Sequence, residues 1–484
     1  MNEDLNRKMV KGLSWSMVET MSNYIVKLVV GIILARLLMP EDFGLLAIMM
    51  IFVSLSDILV NSGLGNAYIQ KKDATETDAN TVFYVNLAIS LLLYVLLFVS
   101  SPLIGFFFGS KQLPSLIRVM SLGIIISSFN VIQNAIIKRD LNFKKRALLT
   151  LVSSLISGLL GISLAYSGFG VWSLVFQQIS NRLIMAILLS HCSNWHPSRR
   201  FSKESAKEFF AFGSWIVLTN LLCSAFNNFY KFVFGRWCAT SDLGYYERAN
   251  QFQHMVAETF TWMFATVAFP VFSKIQNDKQ QLQETTRNFV KCSSLVVYPL
   301  LICLLIVARP MTQFLLTEKW LPLVPYLQLL CIVGLLSPLT NFLEQILQGT
   351  GNTKMYFSFT FLLSALRIAN VLITLRLGIS YVIIGDFFCI LISIISISVV
   401  SRKMLGFLYI SVATSIASII PVVLISATVG IAILHVTGHS PSFIQFVVTA
   451  LSFLLTYMTI TLLLRKKELE KLICLLRKKQ NNGK

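Results

Sequence analysis

The chain has 484 residues, 55% of them hydrophobic and only 13% charged, with a formal net charge of +19 and a mean hydropathy of +0.71. Long apolar runs with charged punctuation exclude a water-soluble globular fold, and their length and continuity exclude the short alternating strands of a transmembrane barrel. Such a charge would suggest nucleic acid in a soluble protein; here Lys and Arg occupy alternate loops beside apolar segments, so membrane lipids are the expected partner and nucleic acid is not.

Apolar segments fall near residues 13–38, 43–66, 81–108, 115–137, 147–167, 170–190, 209–234, 247–272, 288–308, 322–348, 355–377, 379–400, 408–433 and 443–464. Each is long enough to cross a bilayer, so the fold class is an all-α polytopic membrane protein of about 14 transmembrane helices. The first segment is too long for a signal-peptide core and carries Glu19 and Lys27, so it reads as a spanning helix. Its Ser16, Glu19, Asn23 and Lys27 recur at spacings of three and four and share one face.

Other polar groups punctuate the later spans: Asp57 and Asn61 in the second; Arg118 near the outer end of the fourth; Gln177, Gln178, Asn181 and Arg182 in the sixth. The seventh carries Asn220, Ser224, Asn227, Asn228 and Lys231. The eighth carries Arg248, Gln251, His254 and Glu258, the tenth Glu344, the eleventh Arg367 and the twelfth Asp386. A charge inside a bilayer costs several kcal/mol, so each is expected to face a partner or a wet cavity. Between the sixth and seventh spans, Pro197 breaks the chain and Ser202 can cap a short interfacial helix carrying Lys203, Lys207, Phe209 and Phe210.

Two stretches repeat. Ser14-Trp15, Arg36, Asp42, Gly44 and Phe52 recur without a gap as Ser214-Trp215, Arg236, Asp242, Gly244 and Phe252. Further on, Leu113-Pro114 matches Leu321-Pro322, Asn142 and Lys144 match Asn352 and Lys354, and Gly168 matches Gly378. Six spans separate the two copies, so both share one membrane orientation, and the chain reads as two parallel six-helix lobes around a central cavity. The expected domains are an N-terminal lobe, 1–198; a C-terminal lobe, 199–404; appended helices, 405–465; and a basic cytoplasmic tail, 466–484. In repeat register Asn227 stands where Lys27 does, which turns the polar faces of the first and seventh spans toward one space. Arg36 with Asp42 and Arg236 with Asp242 read first as charge-locked hairpins, an outer gate being the sharper alternative.

One set of loops holds Arg7, Lys8, Lys11, Lys71, Lys138, Arg139, Lys144, Lys145, Arg146, Arg199, Arg200, Lys274, Arg287, Lys354, Arg402 and the tail from Arg465, far outnumbering the opposite set. That places both termini in the cytoplasm. The outward loops are short and leave no room for a catalytic domain, and no phosphate-binding Gly-rich loop followed by Lys and Ser/Thr appears, so no enzyme is expected. Eight cysteines are scattered without a C-x-x-C pair, and His191, Cys192 and His196 lack zinc spacing, so no metal is expected.

LARLLMPEDFGLLA (34–47), GLGNAYIQKKD (63–73), TVFYVNL (81–87), LGYYERA (243–249) and FPVFSKIQND (269–278) resemble the polysaccharide-transport branch of the multidrug/oligosaccharidyl-lipid/polysaccharide exporter superfamily, the Wzx-type flippases. The likeness covers the first twelve spans and fades over the last two. It implies a two-lobed bundle that moves an undecaprenyl-diphosphate-linked oligosaccharide from the inner to the outer leaflet of the bacterial cytoplasmic membrane by alternating access. The lipid-linked glycan and other polysaccharide-assembly proteins are the implied partners, for lipopolysaccharide, capsule or exopolysaccharide synthesis. Basic cavity residues engage the head group in that family; the matching candidates are Lys27, Lys231, Arg118, Arg182 and Arg367, with Glu19, Asn23, Asn220 and Asn227 around them. No cofactor is expected beyond a coupling H+ or Na+, for which Asp57, Glu258, Glu344 and Asp386 are candidates. The alternative is a cation-coupled drug or small-molecule exporter of the same superfamily, which calls for an acidic, aromatic-lined cavity. Lys27 and Lys231 argue against that cavity, while Glu19 and Asp57 argue for it.

Overall fold

The computed structural model describes residues 3–464 apart from 62, 72, 141, 194 and 406–408; the side chains of 3–14, 16, 17, 212, 213, 215, 216, 262, 266, 353, 401, 403–405, 410 and 413 are outside that description, as is the expected tail. Among the described residues there are helices and no strand. In chain order they are α1 (Glu3–Leu37), α2 (Pro40–Asn61), α3 (Leu64–Gln70), α4 (Glu76–Phe108), α5 (Leu113–Arg139), α6 (Phe143–Tyr166), α7 (Val171–Cys192), α8 (Lys203–Trp237), α9 (Thr240–Lys274), α10 (Lys279–Leu315), α11 (Leu323–Gly334), α12 (Ser337–Gly349), α13 (Thr353–Thr374), α14 (Ile379–Leu405), α15 (Ile410–Ala417), α16 (Ile420–Val436) and α17 (Ser442–Leu464).

By length and apolarity eleven helices among the described residues can cross a membrane, or twelve if the bent pair α11 and α12 is one span. That is fewer than the expected fourteen. Breaks explain part of the difference. Pro338 has no N–H to continue the ladder and its ring crowds the Gly334 carbonyl, and the chain bends by 42° between α11 and α12. Pro421 likewise opens α16, which is too short to span alone.

The chain divides into two compact units, the first ending at Gly244 and the second beginning at Tyr245. The division thus falls after α8. In the first unit α1 packs along α6, α6 and α5 along α7, and α4 along α5. α8, the repeat counterpart of α1, packs instead on α2, α3 and α4. In the second unit α10 is the hub for α11, α12 and α15 to α17. Two buried tyrosines fasten the last elements there: Tyr409 donates to the Leu339 carbonyl and Tyr457 to the Leu295 carbonyl, both at 2.8 Å.

The linker before α8 is no separate interfacial helix. Asn80 donates to Ser198 Oγ and accepts from the Ser198 N–H, both at 2.8 Å, and the Ser202 N–H donates to Thr81 Oγ1 at 3.0 Å. Ser202 then caps α8 by accepting from the Ser205 N–H. Phe209 is buried with Leu64, Tyr68 and Phe83, so one face of the first turns of α8 packs on protein, while Lys203, Lys207 and Phe210 are exposed. Lys71 bridges Glu208 (2.8 Å) and Asp78 (3.3 Å) beside them, and Glu208 leads in raising the Lys71 ammonium above the ordinary lysine range.

The repeat is visible in the backbone of each copy. Asn142 and Asn352 occupy the N-cap positions of α6 and α13 with near-identical dihedrals, φ −87°, ψ 59° and φ −80°, ψ 54°. Gly168 and Gly378 both take positive φ, 83° and 111°, where a side chain would be strained. Asp42 accepts the Met39 N–H at 3.0 Å and closes the first turn of α2, as a structural hairpin residue should. Gly44 and Gly244 mark a close backbone approach: a Cβ on Gly44 would lie 1.9 Å from the Thr240 carbonyl oxygen, and one on Gly244 2.0 Å from that of Pro40. Two helix starts therefore meet backbone to backbone, which any side chain would prevent.

Gly44→Val and Gly244→Val are each expected to cost about 2 kcal/mol through overpacking, seen as earlier thermal unfolding of the solubilised protein. Phe106→Ala, at a position 87% exposed, is expected to leave unfolding unchanged. Indistinguishable melting of all three variants and the wild type would contradict the backbone contact.

Candidate functional site

Glu19, Asn23 and Lys27 form one row along α1, and the partner helix α6 presents a matching row of hydroxyls. Thr150 donates to Glu19 Oε1 at 3.3 Å, and Ser154 donates to Asn23 Oδ1 at 3.1 Å. One turn on, Ser157 accepts from Asn181 of α7 at 3.1 Å. Hydroxyls three and four residues apart satisfy polar groups within hydrocarbon and let helices pack closely. Glu19 also pairs with Arg146 of α6 at 3.3 Å. Its ion-pair partner is therefore on the facing helix and not on α1 itself. Lys27 lies exposed on its helix, with no ion pair among the described residues.

Arg182 of α7 and Asp57 of α2 are brought together in a fork-to-fork pair: Nη1 to Oδ1 at 2.8 Å and Nη2 to Oδ2 at 2.7 Å. Arg182 Nη1 also donates to Ser127 Oγ at 2.6 Å and to the Gly123 carbonyl at 3.3 Å. A Cβ on Gly123 would lie 3.1 Å from Arg182 Cδ, so a glycine is what lets the arginine pass α5. Two guanidinium nitrogens meeting two carboxylate oxygens, a hydroxyl and a carbonyl leave this charge well compensated. Arg118 is likewise engaged: Nε donates to Ser101 Oγ at 2.8 Å, and the guanidinium lies over the Phe98 ring at 4.6 Å.

On α8, Asn228 donates to Ser54 of α2 at 3.2 Å and to Ser224. Asn220 and Asn227 are exposed and Lys231 is half-buried.

In the second unit, Arg367 of α13 and Asp386 of α14 pair at 2.7 Å (Nε to Oδ1) and 3.4 Å (Nη2 to Oδ2). Glu258 of α9 and Glu344 of α12 are half-buried and have no hydrogen bond or ion pair among the described residues. Glu344 lies within electrostatic reach of Glu258 and Arg367. The four carboxylates named for ion coupling thus fall into two classes, Asp57 and Asp386 locked to arginine, Glu258 and Glu344 not.

Arg146 and the α6 hydroxyls escaped the sequence reading. Thr150, Ser153, Ser154 and Ser157 at helical spacing were the available signal, but hydroxyls in a span declare nothing until a facing helix is known. No His, Cys, Asp or Glu group of three suited to a metal occurs among the described residues; His191 Nδ1 lies 2.9 Å from the Ile187 carbonyl.

A family model described as Polysaccharide biosynthesis protein matches residues 33–325, more than half of the chain. The chain belongs to that family. It is 26% identical over 328 residues to the teichuronic acid biosynthesis protein TuaB of Bacillus subtilis (strain 168), covering 67% of each chain. It is 24% identical over 357 residues to the lipopolysaccharide biosynthesis protein WzxC of Escherichia coli (strain K12), covering 73% of each. Among solved structures, the fold matches the lipid II flippase MurJ in its inward closed conformation, with TM-score 0.75 and 16% identity over 94% of this chain and 99% of that one. An inward-facing multidrug resistance MATE transporter matches with TM-score 0.63 and 18% identity, over 82% and 98%. These two likenesses establish a transporter fold.

Arg182→Ala is expected to destabilise the protein by about 3 kcal/mol, because it strands a partly buried carboxylate. Asp57→Asn combined with Arg182→Gln is expected to cost less than the sum of the single changes, measured by thermal unfolding of all four forms. Additive losses would show that the two side chains do not act as a pair.

Proposed function

We propose that the chain is a flippase of the bacterial cytoplasmic membrane, both termini cytoplasmic, that carries a polyprenyl-diphosphate-linked oligosaccharide from the inner to the outer leaflet by alternating access during surface-polysaccharide assembly. Family membership supports the class of pathway. The names of WzxC and of the flippase MurJ support the class of cargo.

The observation that carries the reading is Lys27. Arg118, Arg182 and Arg367 have partners already, whereas Lys27 offers an ammonium on the polar face of a spanning helix without a counter-ion among the described residues. A diphosphate sugar cannot cross hydrocarbon alone, since its charges and hydroxyls would lose their hydration. A cation beside a row of hydroxyls and amides replaces part of that hydration, with Asn23, Asn220, Asn227 and Lys231 as further contacts, and the lipid tail remains in the bilayer. A cationic drug would be repelled by the same ammonium.

For coupling, Glu258 and Glu344 are the better pair. The oxygens of Asp57 and Asp386 are occupied by arginine, whereas those of Glu258 and Glu344, without such a grip, are available to a proton or a sodium ion.

Lys27→Ala is expected to slow flipping of a polyprenyl-diphosphate glycan in proteoliposomes by about tenfold or more, with Lys27→Arg retaining most activity, as loss of one charge-assisted contact implies. Wild-type flipping by Lys27→Ala, or efflux of a cationic dye in place of glycan flipping, would refute the reading. Glu344→Gln and Glu258→Gln are expected to remove the dependence of flipping on a proton or sodium gradient; an unchanged gradient response in both would exclude them as the coupling groups.

A further inference from the structure

Arg146 and Lys138, at the inner ends of α6 and α5, stand apart from the basic residues around them. The five cations Lys138, Arg139, Lys144, Lys145 and Arg146 are nearly continuous in sequence, and the topology rule accounts for their sign. Their contacts differ. Arg139 lies over the Tyr68 ring at 5.6 Å and Lys144 over the Trp15 ring at 5.5 Å. Lys145 donates to the Cys192 carbonyl. Arg146 instead reaches Glu19 on the polar row of α1, and Lys138 is half-buried and within electrostatic reach of both Arg146 and Glu19. Arg146 thus pairs with the one carboxylate while Lys138 stands near the pair, so two cations and one anion leave a net positive charge at the inner end of the row that holds Asn23 and Lys27.

The Glu19–Arg146 contact is also the weaker kind of ion pair. It runs through a single guanidinium nitrogen at 3.3 Å to an oxygen that Thr150 contacts as well, longer than the 2.7–2.9 Å usual for charged partners. In the same unit Arg182 grips Asp57 through two nitrogens at 2.7 and 2.8 Å. The first pair has donors to spare and is 30% exposed on its arginine; the second has neither slack nor a second cation.

We propose that Arg146 and Lys138 form a loading site for the diphosphate of a polyprenyl-linked glycan, and that Glu19 is a built-in counter-anion which the diphosphate displaces. The proposal rests on reading the chain as a carrier of that lipid. A diphosphate brings more charge and more acceptor oxygens than one carboxylate, so it satisfies both cations at once. Glu19 and Lys27 are eight residues apart on α1, about 12 Å along the axis, with Asn23 between them. The anion therefore passes from a two-cation station at the inner surface to a single cation deeper in the span. Glu19 keeps the empty station neutral enough to discourage ordinary anionic phospholipids, whose single phosphate is a poorer competitor.

The test is binding of farnesyl diphosphate to the purified full chain in nanodiscs of neutral lipid, with farnesyl monophosphate and phosphatidylglycerol as comparison ligands. Arg146→Gln and Lys138→Gln are expected to weaken farnesyl diphosphate about tenfold. Glu19→Gln is expected to tighten it by several-fold, in the opposite direction to damage of a merely structural contact. The double variant Glu19→Gln with Arg146→Gln leaves no stranded carboxylate and is expected to stay folded while binding weakly. Wild-type affinity in both Arg146→Gln and Lys138→Gln, weaker binding in Glu19→Gln, or equal affinity for phosphatidylglycerol would each overturn this site and leave the flippase reading intact. Absence of farnesyl diphosphate binding by the wild type would overturn both.

Discussion

Within hydrocarbon a polar group has no water to fall back on, and this constraint shapes the first unit. Glu19, Asn23, Thr150, Ser154, Ser157 and Asn181 satisfy one another across the contacts of α1, α6 and α7. Replacing one row with apolar residues would strand the other. The seam thus holds α1 in place and at the same time keeps a line of polar atoms at membrane depth.

Charge is distributed over this frame in three ways. Arg182 with Asp57, and Arg367 with Asp386, are close pairs that tie α7 to α2 and α13 to α14. Glu19 with Arg146 is a looser contact near the start of α6 at one end of the seam. Lys27, Glu258 and Glu344 have no ion pair among the described residues. The geometric gradation from tight to loose to unpaired separates charges that tie helices together from charges without an ion pair among the described residues. Sign of charge alone does not make that separation, since all three groups contain both a cation and a carboxylate.

The duplication is similarly divided. Asn142 and Asn352, Gly168 and Gly378, Gly44 and Gly244 perform the same backbone tasks in their two copies. Such positions are constrained by dihedral angle or by contact distance, which tolerate few residue types. The helices that carry the polar rows are not used alike, for α1 lies along α6 while α8 lies along α2 and α4. The shared residues build turns and crossings, and the unshared charges give each copy its own chemistry.

The sequence by itself determined the helical membrane class, the repeat, the membership suggested by its motifs, and the polar face of α1. Each of these depends on composition or on spacing along one element, which a linear chain records directly. The pairing of Glu19 with Arg146, of Arg182 with Asp57, and of the α8 start with α3 and α4 was decided only by tertiary structure. Those contacts join residues more than a hundred positions apart, and which helix faces which is set by the summed packing of all of them. A charge in a span announces that a partner or a wet surface must exist; only the fold says which of the two it found.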